Sequence, residues 1–144
     1  MLLSMATDDD TLADRLSAIP MFAALEPDHI QSVCGVLLPF DAPAGQVLVQ
    51  PGMVGAGLFL IEQGSVTLTV QNKDLELGPG EFFGELALLD ERAVRTTRVR
   101  AKTDVSGYCI DRHDFNKLLE EEPKIALSML KVLAHRLVDL IAPH

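Results

Sequence analysis

The apolar and polar positions near the start of the chain repeat at helical spacing. Residues 8–19 begin with acidic side chains and continue with apolar residues three or four positions apart, which predicts a short helix. A second helix is predicted from Pro27 to about Leu38, with the proline in its first turn. We therefore expect N-terminal helices over about residues 8–38.

From position 39 the pattern changes to short apolar runs separated by breaks that contain Gly, Pro and Asp. Eight of the ten glycines lie between Gly45 and Gly84. Their regular recurrence is typical of hairpins that close a small barrel or a double-sheet roll.

The last third of the sequence returns to helical spacing. One short helix is predicted from Asp111 to Leu119, and a longer one begins at Pro123 and runs to about Ala142. Its predicted polar stripe consists of Lys124, Ser128, Lys131, His135 and Asp139. Apolar residues cover the rest of this helix, so we expect one side to pack on the barrel. The other side would pack on a ligand, another subunit or a further segment.

Composition narrows the class of protein. A chain of 144 residues with 48% hydrophobic content suits one domain, residues 1–144. Its formal net charge of −9 disfavours nucleic-acid binding. The sequence shows neither a secretory signal nor an apolar run long enough to span a membrane, so we expect a cytoplasmic protein. Cys34 and Cys109 have apolar neighbours and are predicted to be buried thiols without a disulfide.

Positive charge is concentrated in one window of this acidic chain. Five of the twelve Lys and Arg residues fall within eleven positions: Arg92, Arg95, Arg98, Arg100 and Lys102. Beyond Arg95 the sequence alternates as in a half-buried strand, which predicts that the last three basic residues lie on a solvated face, with a partner-binding surface as the alternative.

The segment before this window favours anion binding. Gly84 is followed by ELALL, which predicts a short helix whose first backbone N–H groups face an anion. Arg95 could add a bidentate bond to a phosphate, and Thr96 a hydroxyl. Glu85 would be repelled by the phosphate, so its oxygens would accept from the hydroxyl of an attached sugar. A structural ion pair between Glu85 and Arg95 is the alternative.

The order GELAL from Gly84, RTT from Arg95 and AKTDV from Ala101 resembles the phosphate-binding cassette of cyclic nucleotide-binding domains. These are the sensory domains of catabolite activator proteins, cyclic-nucleotide-dependent kinases and cyclic-nucleotide-regulated channels. The resemblance covers nearly the whole chain. It implies an α+β fold: an antiparallel, jelly-roll-like β-roll of about eight strands with N-terminal helices and a C-terminal helical lid. The roll would span about residues 39–110, the cassette 84–97 and the lid 111–142.

The resemblance also implies a ligand and the residues that bind it. The ligand would be cAMP, expected in preference to cGMP, and no cofactor or metal is implied. Arg95 would pair with the cyclic phosphate and Glu85 would accept from the ribose 2′-hydroxyl. Further ligand contacts would come from Gly84, Leu86, Ala87, Thr96, Thr97 and Arg136.

These further contacts have different expected roles. The backbone amides around Leu86 and Ala87 would complete the phosphate cradle, and Gly84 would permit the close approach of the ligand. Thr96 occupies a position where Ser or Thr often touches phosphate and the guanine amino group, so cGMP stays open. Arg136 would reach over the purine, or else remain a surface arginine.

The cassette also departs from the family pattern. Val94 stands where Pro is common, and Thr97 where Ala is common. No helix-turn-helix follows the last helix in this sequence, so we expect a domain without its own DNA-binding segment.

The function expected from the sequence is regulatory binding of a cyclic nucleotide that switches the last helix. Two alternatives stay open: a degenerate fold that acts as a protein-interaction domain, and the sensory part of a longer effector protein. The four histidines lack metal-ligand spacing, and no phosphate loop or nucleophile elbow occurs, so we expect no enzyme activity. A homodimer or an effector protein could bind through the last helix.

Overall fold

The computed structural model describes residues 12–52, 57–90, 92 and 96–142. The helices are α1 (residues 12–17), α2 (Pro27–Cys34), α3 (Glu85–Leu89), α4 (Arg112–Glu121) and α5 (Pro123–Ile141). The strands are β1 (Leu38–Ala42), β2 (Val47–Val49), β3 (Gly57–Gln63), β4 (Val66–Val70), β5 (Lys73–Leu77), β6 (Phe82–Phe83), β7 (Thr97–Ala101) and β8 (Val105–Asp111).

The eight described strands form two antiparallel sheets of four strands each. The first sheet has the order β1-β8-β3-β6 and the second the order β2-β7-β4-β5. A tight turn at Gln71 and Asn72, both with positive φ, joins β4 to β5. The predicted α+β fold, a β-roll flanked by helices, is therefore confirmed.

The alternation of side chains along β3 divides the interior into two apolar clusters. Leu58 and Leu60 face the helices, whereas Phe59 and Ile61 face the space between the two sheets. The helix-side core contains Leu16, Met21, Phe22, Ile30, Val33, Leu58, Leu60, Phe82, Leu88, Ile110, Phe115, Leu118, Ile125 and Met129. The roll interior contains Ala42, Ile61, Val66, Leu68, Leu77, Phe83, Val99, Ala101 and Val105.

The predicted bounds of α4 and α5 agree with the structure to within about two residues, whereas the predicted end of α2 is wrong. This helix ends at Cys34 instead of about Leu38, because Leu38 pairs with Cys109 of β8 and starts β1. No disulfide joins the two cysteines, which are partly rather than fully buried. The prediction of a helix at residues 8–11 lies outside the described residues.

Candidate functional site

Gly84 connects β6 to α3 in a conformation that only glycine adopts readily. Its φ is +95°, and a Cβ added there would lie 2.5 Å from the carbonyl oxygen of Gly57 in β3. The sequence predicts that this glycine makes room for a ligand. In the structure a Cβ at this position would meet the backbone of β3, so the fold itself requires a glycine here, and the close approach of a ligand stays a prediction.

Glu85, the first residue of α3, is buried against α5. Its side chain is 2% exposed, and its Oε1 accepts a hydrogen bond of 3.2 Å from Nη1 of Arg136. Nη2 of Arg136 donates to the carbonyl oxygen of Phe82 at 2.6 Å. The same guanidinium lies over the Phe82 ring, 4.5 Å from its centroid. The ion pair of Glu85 is thus made with the last helix.

Arg136 is not the surface arginine that the sequence left open as an alternative. Only 6% of the residue is exposed, because it shares the inner arc of α5 with Ile125 and Met129. Sequence reasoning singled out the residue but not its partner. The spacing of the sequence could have predicted the burial of Arg136, since positions 125, 129 and 136 fall on one side of a helix.

Burial dominates the electrostatics of this pair. It raises the pKa of Glu85, an effect that the charge of Arg136 reduces, and it lowers the pKa of Arg136. Two of the pair's buried atoms, Oε2 of Glu85 and Nε of Arg136, have no hydrogen-bond partner within the described part of the chain. The pair is therefore formed but incompletely satisfied.

Thr97 is a third buried polar residue among the described residues. It starts β7 on the same face as Val99 and Ala101, which belong to the roll interior. Its residue exposure is 6%, and among the described residues its Oγ1 has no hydrogen-bond partner. A hydroxyl in such a position is available to a ligand.

Some of the other predicted site residues are described by the structure and others are not. Leu86 is half-buried in α3, and Thr96 is exposed just before β7. Arg95 and the side chain of Ala87 lie outside the described residues. Of the predicted site residues, the structure brings Glu85 and Arg136 into contact and places Gly84 directly before Glu85 at the start of α3.

The basic residues around the cassette are exposed or paired. Arg98 and Arg100 alternate with buried neighbours on β7, as predicted. Lys102 pairs with Glu76 at 3.0 Å. Arg92 binds Asp90 at 2.7 Å and, by donating hydrogen bonds, lowers the pKa of that carboxyl to about 2.

A cavity of about 360 Å³ lies beside the ion pair, between α5 and β5. Its walls include Leu75 and Leu77 of β5, Phe82 of β6, and Val132 and Arg136 of α5. The sequence did not predict this cavity, because it depends on how the last helix crosses the edge of the roll.

Comparison with known proteins identifies the type of domain. Residues 39–122 match the family model of the cyclic nucleotide-binding domain. A cyclic nucleotide-gated potassium channel of Rhizobium etli is 35% identical over 121 residues, which are 84% of this chain and 34% of the channel. The chain thus spans about a third of the length of this relative. In the described part of the chain no helix is both long and apolar enough to cross a membrane.

Solved structures agree on the fold. One of them is the second cyclic nucleotide-binding domain of a protein kinase A regulatory subunit with Sp-2Cl-cAMPS bound. It superposes with a TM-score of 0.79 at 23% identity, over 96% of this chain and 95% of that one. The cAMP-binding acyltransferase from Mycobacterium smegmatis, as an R95K mutant, gives a TM-score of 0.72 at 29% identity. That match covers 91% of this chain and 42% of the acyltransferase.

Proposed function

The chain belongs to the cyclic nucleotide-binding domain family, and we propose that it binds a cyclic nucleotide, cAMP in preference to cGMP, to regulate an effector. The observation that carries this proposal is Oε2 of Glu85, a buried carboxylate oxygen that has no hydrogen-bond partner within the described residues, and Oγ1 of Thr97 is a second buried polar atom of this kind. Buried polar atoms are nearly always hydrogen-bonded. A ligand with hydroxyl and phosphate groups would satisfy both.

The ribose would bind at Glu85. Arg136 occupies Oε1, so Oε2 can accept a hydrogen bond from the 2′-hydroxyl. Thr97 would donate its hydroxyl to a phosphate oxygen, beside the charge-assisted bonds of Arg95 and the first backbone amides of α3.

The base would extend past Arg136 into the cavity between α5 and β5. The apolar side chains of Leu75, Leu77 and Val132 line that space. Arg136 already lies over one aromatic ring, that of Phe82, and its Nε is unsatisfied. A purine placed against the guanidinium would gain a second cation–π contact. The similarity to a cAMP-binding acyltransferase supports cAMP as a ligand.

The regulatory step would act through α5. Arg136 joins the last helix to Glu85, so a ligand that binds Glu85 changes the contact that holds this helix on the roll. The size of the switch would equal the ligand's difference in affinity for the two helix positions. The effector would be part of a longer protein, such as the channel to which the chain is similar.

Isothermal titration with cAMP and cGMP tests the proposal. Arg95→Ala should weaken binding by about 2 to 4 kcal/mol if the arginine pairs with a desolvated phosphate. Arg98→Ala, at an exposed position on the same segment, is the matched control and should leave the affinity unchanged. Absence of both heat and thermal shift with either nucleotide at about millimolar concentration would refute the proposal.

A second candidate is a protein-interaction domain that keeps the fold without binding nucleotide. The ion pair between Glu85 and Arg136 favours it, because the carboxylate is already partly occupied. Nucleotide that co-purifies with the protein would argue against this candidate. It would be visible as excess absorbance near 260 nm, since the chain contains no Trp and one Tyr.

A further inference from the structure

The C-terminal end of α5 lacks the local features that usually stabilise the end of a helix. Within the described residues its last turn carries no basic side chain, and Asp139 adds a negative charge where the helix dipole is already negative. The helix ends at Ala142, which has extended backbone, instead of at a glycine in the left-handed conformation. Its last carbonyl groups therefore depend on water or on another element of the fold.

The structure supplies a partner from β5. Nζ of Lys73 donates a hydrogen bond of 2.7 Å to the carbonyl oxygen of Leu140, which lies 67 residues later in the sequence. The ammonium group satisfies one of the last carbonyl groups of α5 and places a positive charge at the negative end of the helix dipole. Lys73 thus does for this helix what a basic residue in its own last turn would do.

A tight hairpin fixes the backbone from which Lys73 extends. The two turn residues between β4 and β5 both have positive φ, and Val70 pairs with Lys73 on either side of them. In the next pair along the strands, the hydroxyl of Thr69 donates to Asp74 at 2.6 Å. The start of β5 is therefore held by backbone pairing and by a side-chain hydrogen bond.

Lys73 lies just beyond one end of the cavity between α5 and β5. Because side chains alternate along a strand, it shares a face of β5 with Leu75 and Leu77, which line that cavity. On the helix, Leu140 directly follows Asp139, which also lines the cavity. The contact between the lysine and the helix therefore holds β5 and α5 together next to the cavity.

We propose that Lys73 is a positioning residue, which attaches the end of α5 to the roll and so keeps this helix over the cavity. Arg136 attaches the middle of the same helix through the carbonyl oxygen of Phe82. A ligand at Glu85 changes the contact of Arg136 but does not reach Lys73. The effect of Lys73 on nucleotide affinity rests on the proposed function, whereas the attachment itself needs no ligand.

Amide hydrogen exchange of the ligand-free protein, followed by NMR, tests the attachment. Lys73→Met removes the donor and should speed exchange at residues 139–142 about two- to fivefold, because an exposed charge at a helix end has a modest effect. Residues 128–132 should keep their rates. Lys73→Arg keeps the charge and the donors and should exchange like the wild type.

The matched control is Lys117→Met, which removes the same charge from an exposed position on α4. Equal exchange at residues 139–142 in the wild type and Lys73→Met would overturn the proposal. So would an equal acceleration in Lys117→Met, or in Lys73→Arg.

Isothermal titration with cAMP tests the role of Lys73 in binding. Lys73→Met should raise the dissociation constant about two- to fivefold, whereas Lys73→Arg and Lys117→Met should stay close to the wild type. An unchanged affinity together with faster exchange would overturn the role in binding. A wild type that binds neither cAMP nor cGMP would overturn the proposed function and this role with it, whereas the exchange rates would still decide whether Lys73 attaches α5.

Discussion

The helix-side core and the candidate site residues Glu85, Thr97 and Arg136 are all buried, but they differ in how many of their polar atoms are hydrogen-bonded after folding. Every buried member of the helix-side core is apolar, and Phe22, Phe115 and Ile125 are fully buried. In the site, by contrast, Glu85, Thr97 and Arg136 each have a buried polar atom without a partner within the described residues. Folding alone leaves no polar side-chain atom without a partner among the described residues of the helix-side core. The candidate site, in contrast, keeps buried polar atoms that could form hydrogen bonds with a ligand.

The largest expected loss of stability comes from a substitution in the helix-side core. Phe115→Ala should lower the free energy of unfolding by about 3 to 5 kcal/mol, because a 0% exposed ring leaves a cavity that its neighbours cannot fill. Urea denaturation followed by circular dichroism measures it. Leu38→Ala, at a 60% exposed position, should change stability by less than about 0.5 kcal/mol. Similar losses in the two variants would contradict the assignment of the core.

A smaller loss of stability is expected from a substitution at Gly84, which connects β6 to α3. Gly84→Ala should cost about 1 to 3 kcal/mol, because it places a Cβ at positive φ and against the Gly57 carbonyl oxygen. Gly78→Ala is the matched control in the same segment, since a Cβ there meets no atom within 4 Å and φ is not positive. Comparable denaturation midpoints for the two variants would show that β3 does not constrain Gly84.

The sequence predicted the features that depend on local spacing. Alternation predicted which residues of β7 are buried, and ELALL after Gly84 predicted the helix at α3. Both follow from side-chain periodicity within a single element. The resemblance to a known family supplied the roll, which the structure confirms, and the site residues, which stay a prediction.

Features that depend on distant contacts could not be predicted in this way. The helical pattern continues to Leu38, but pairing with β8 ends α2 four residues earlier. The spacing of positions 125, 129 and 136 puts Arg136 on the inner side of α5, but its partner Glu85 lies 51 residues earlier in the sequence, and no local pattern pairs the two residues. The choice of Ile125, Met129 and Arg136 as the buried residues of α5 is likewise set by tertiary packing.

The site should also respond to pH in a way that the apolar core cannot. Burial raises the pKa of Glu85, so the folded protein binds the proton of this carboxyl more tightly than the unfolded chain does. The resulting stabilisation is complete below the ordinary glutamate pKa of about 4.3 and is lost as the pH rises through the raised pKa. In the ligand-free protein, the stability of the wild type relative to Glu85→Gln should therefore fall as the pH rises.

Urea denaturation of the two proteins, from about pH 4 to about pH 8, measures this dependence. Phe115→Ala, which removes no titrating group, is the control and should keep a constant difference from the wild type across the same range. A wild-type advantage over Glu85→Gln that grows with pH would show that Arg136 outweighs burial and that the pair is electrostatically complete.

The smallest expected change in stability separates the two regions most directly. Thr97→Val keeps the shape of the side chain and removes a hydroxyl that has no partner among the described residues. The free energy of unfolding should stay within about 1 kcal/mol of the wild type or increase, because no hydrogen bond to a described residue is lost and the variant buries no polar side-chain atom at this position. Affinity for the cyclic nucleotide should nevertheless fall by about 1 kcal/mol, since the hydroxyl would donate to the ligand. Thr67→Val on β4, outside the site, is the control for both measurements. A Thr97→Val variant that loses stability but keeps its affinity would place the hydroxyl in the fold and remove it from the site.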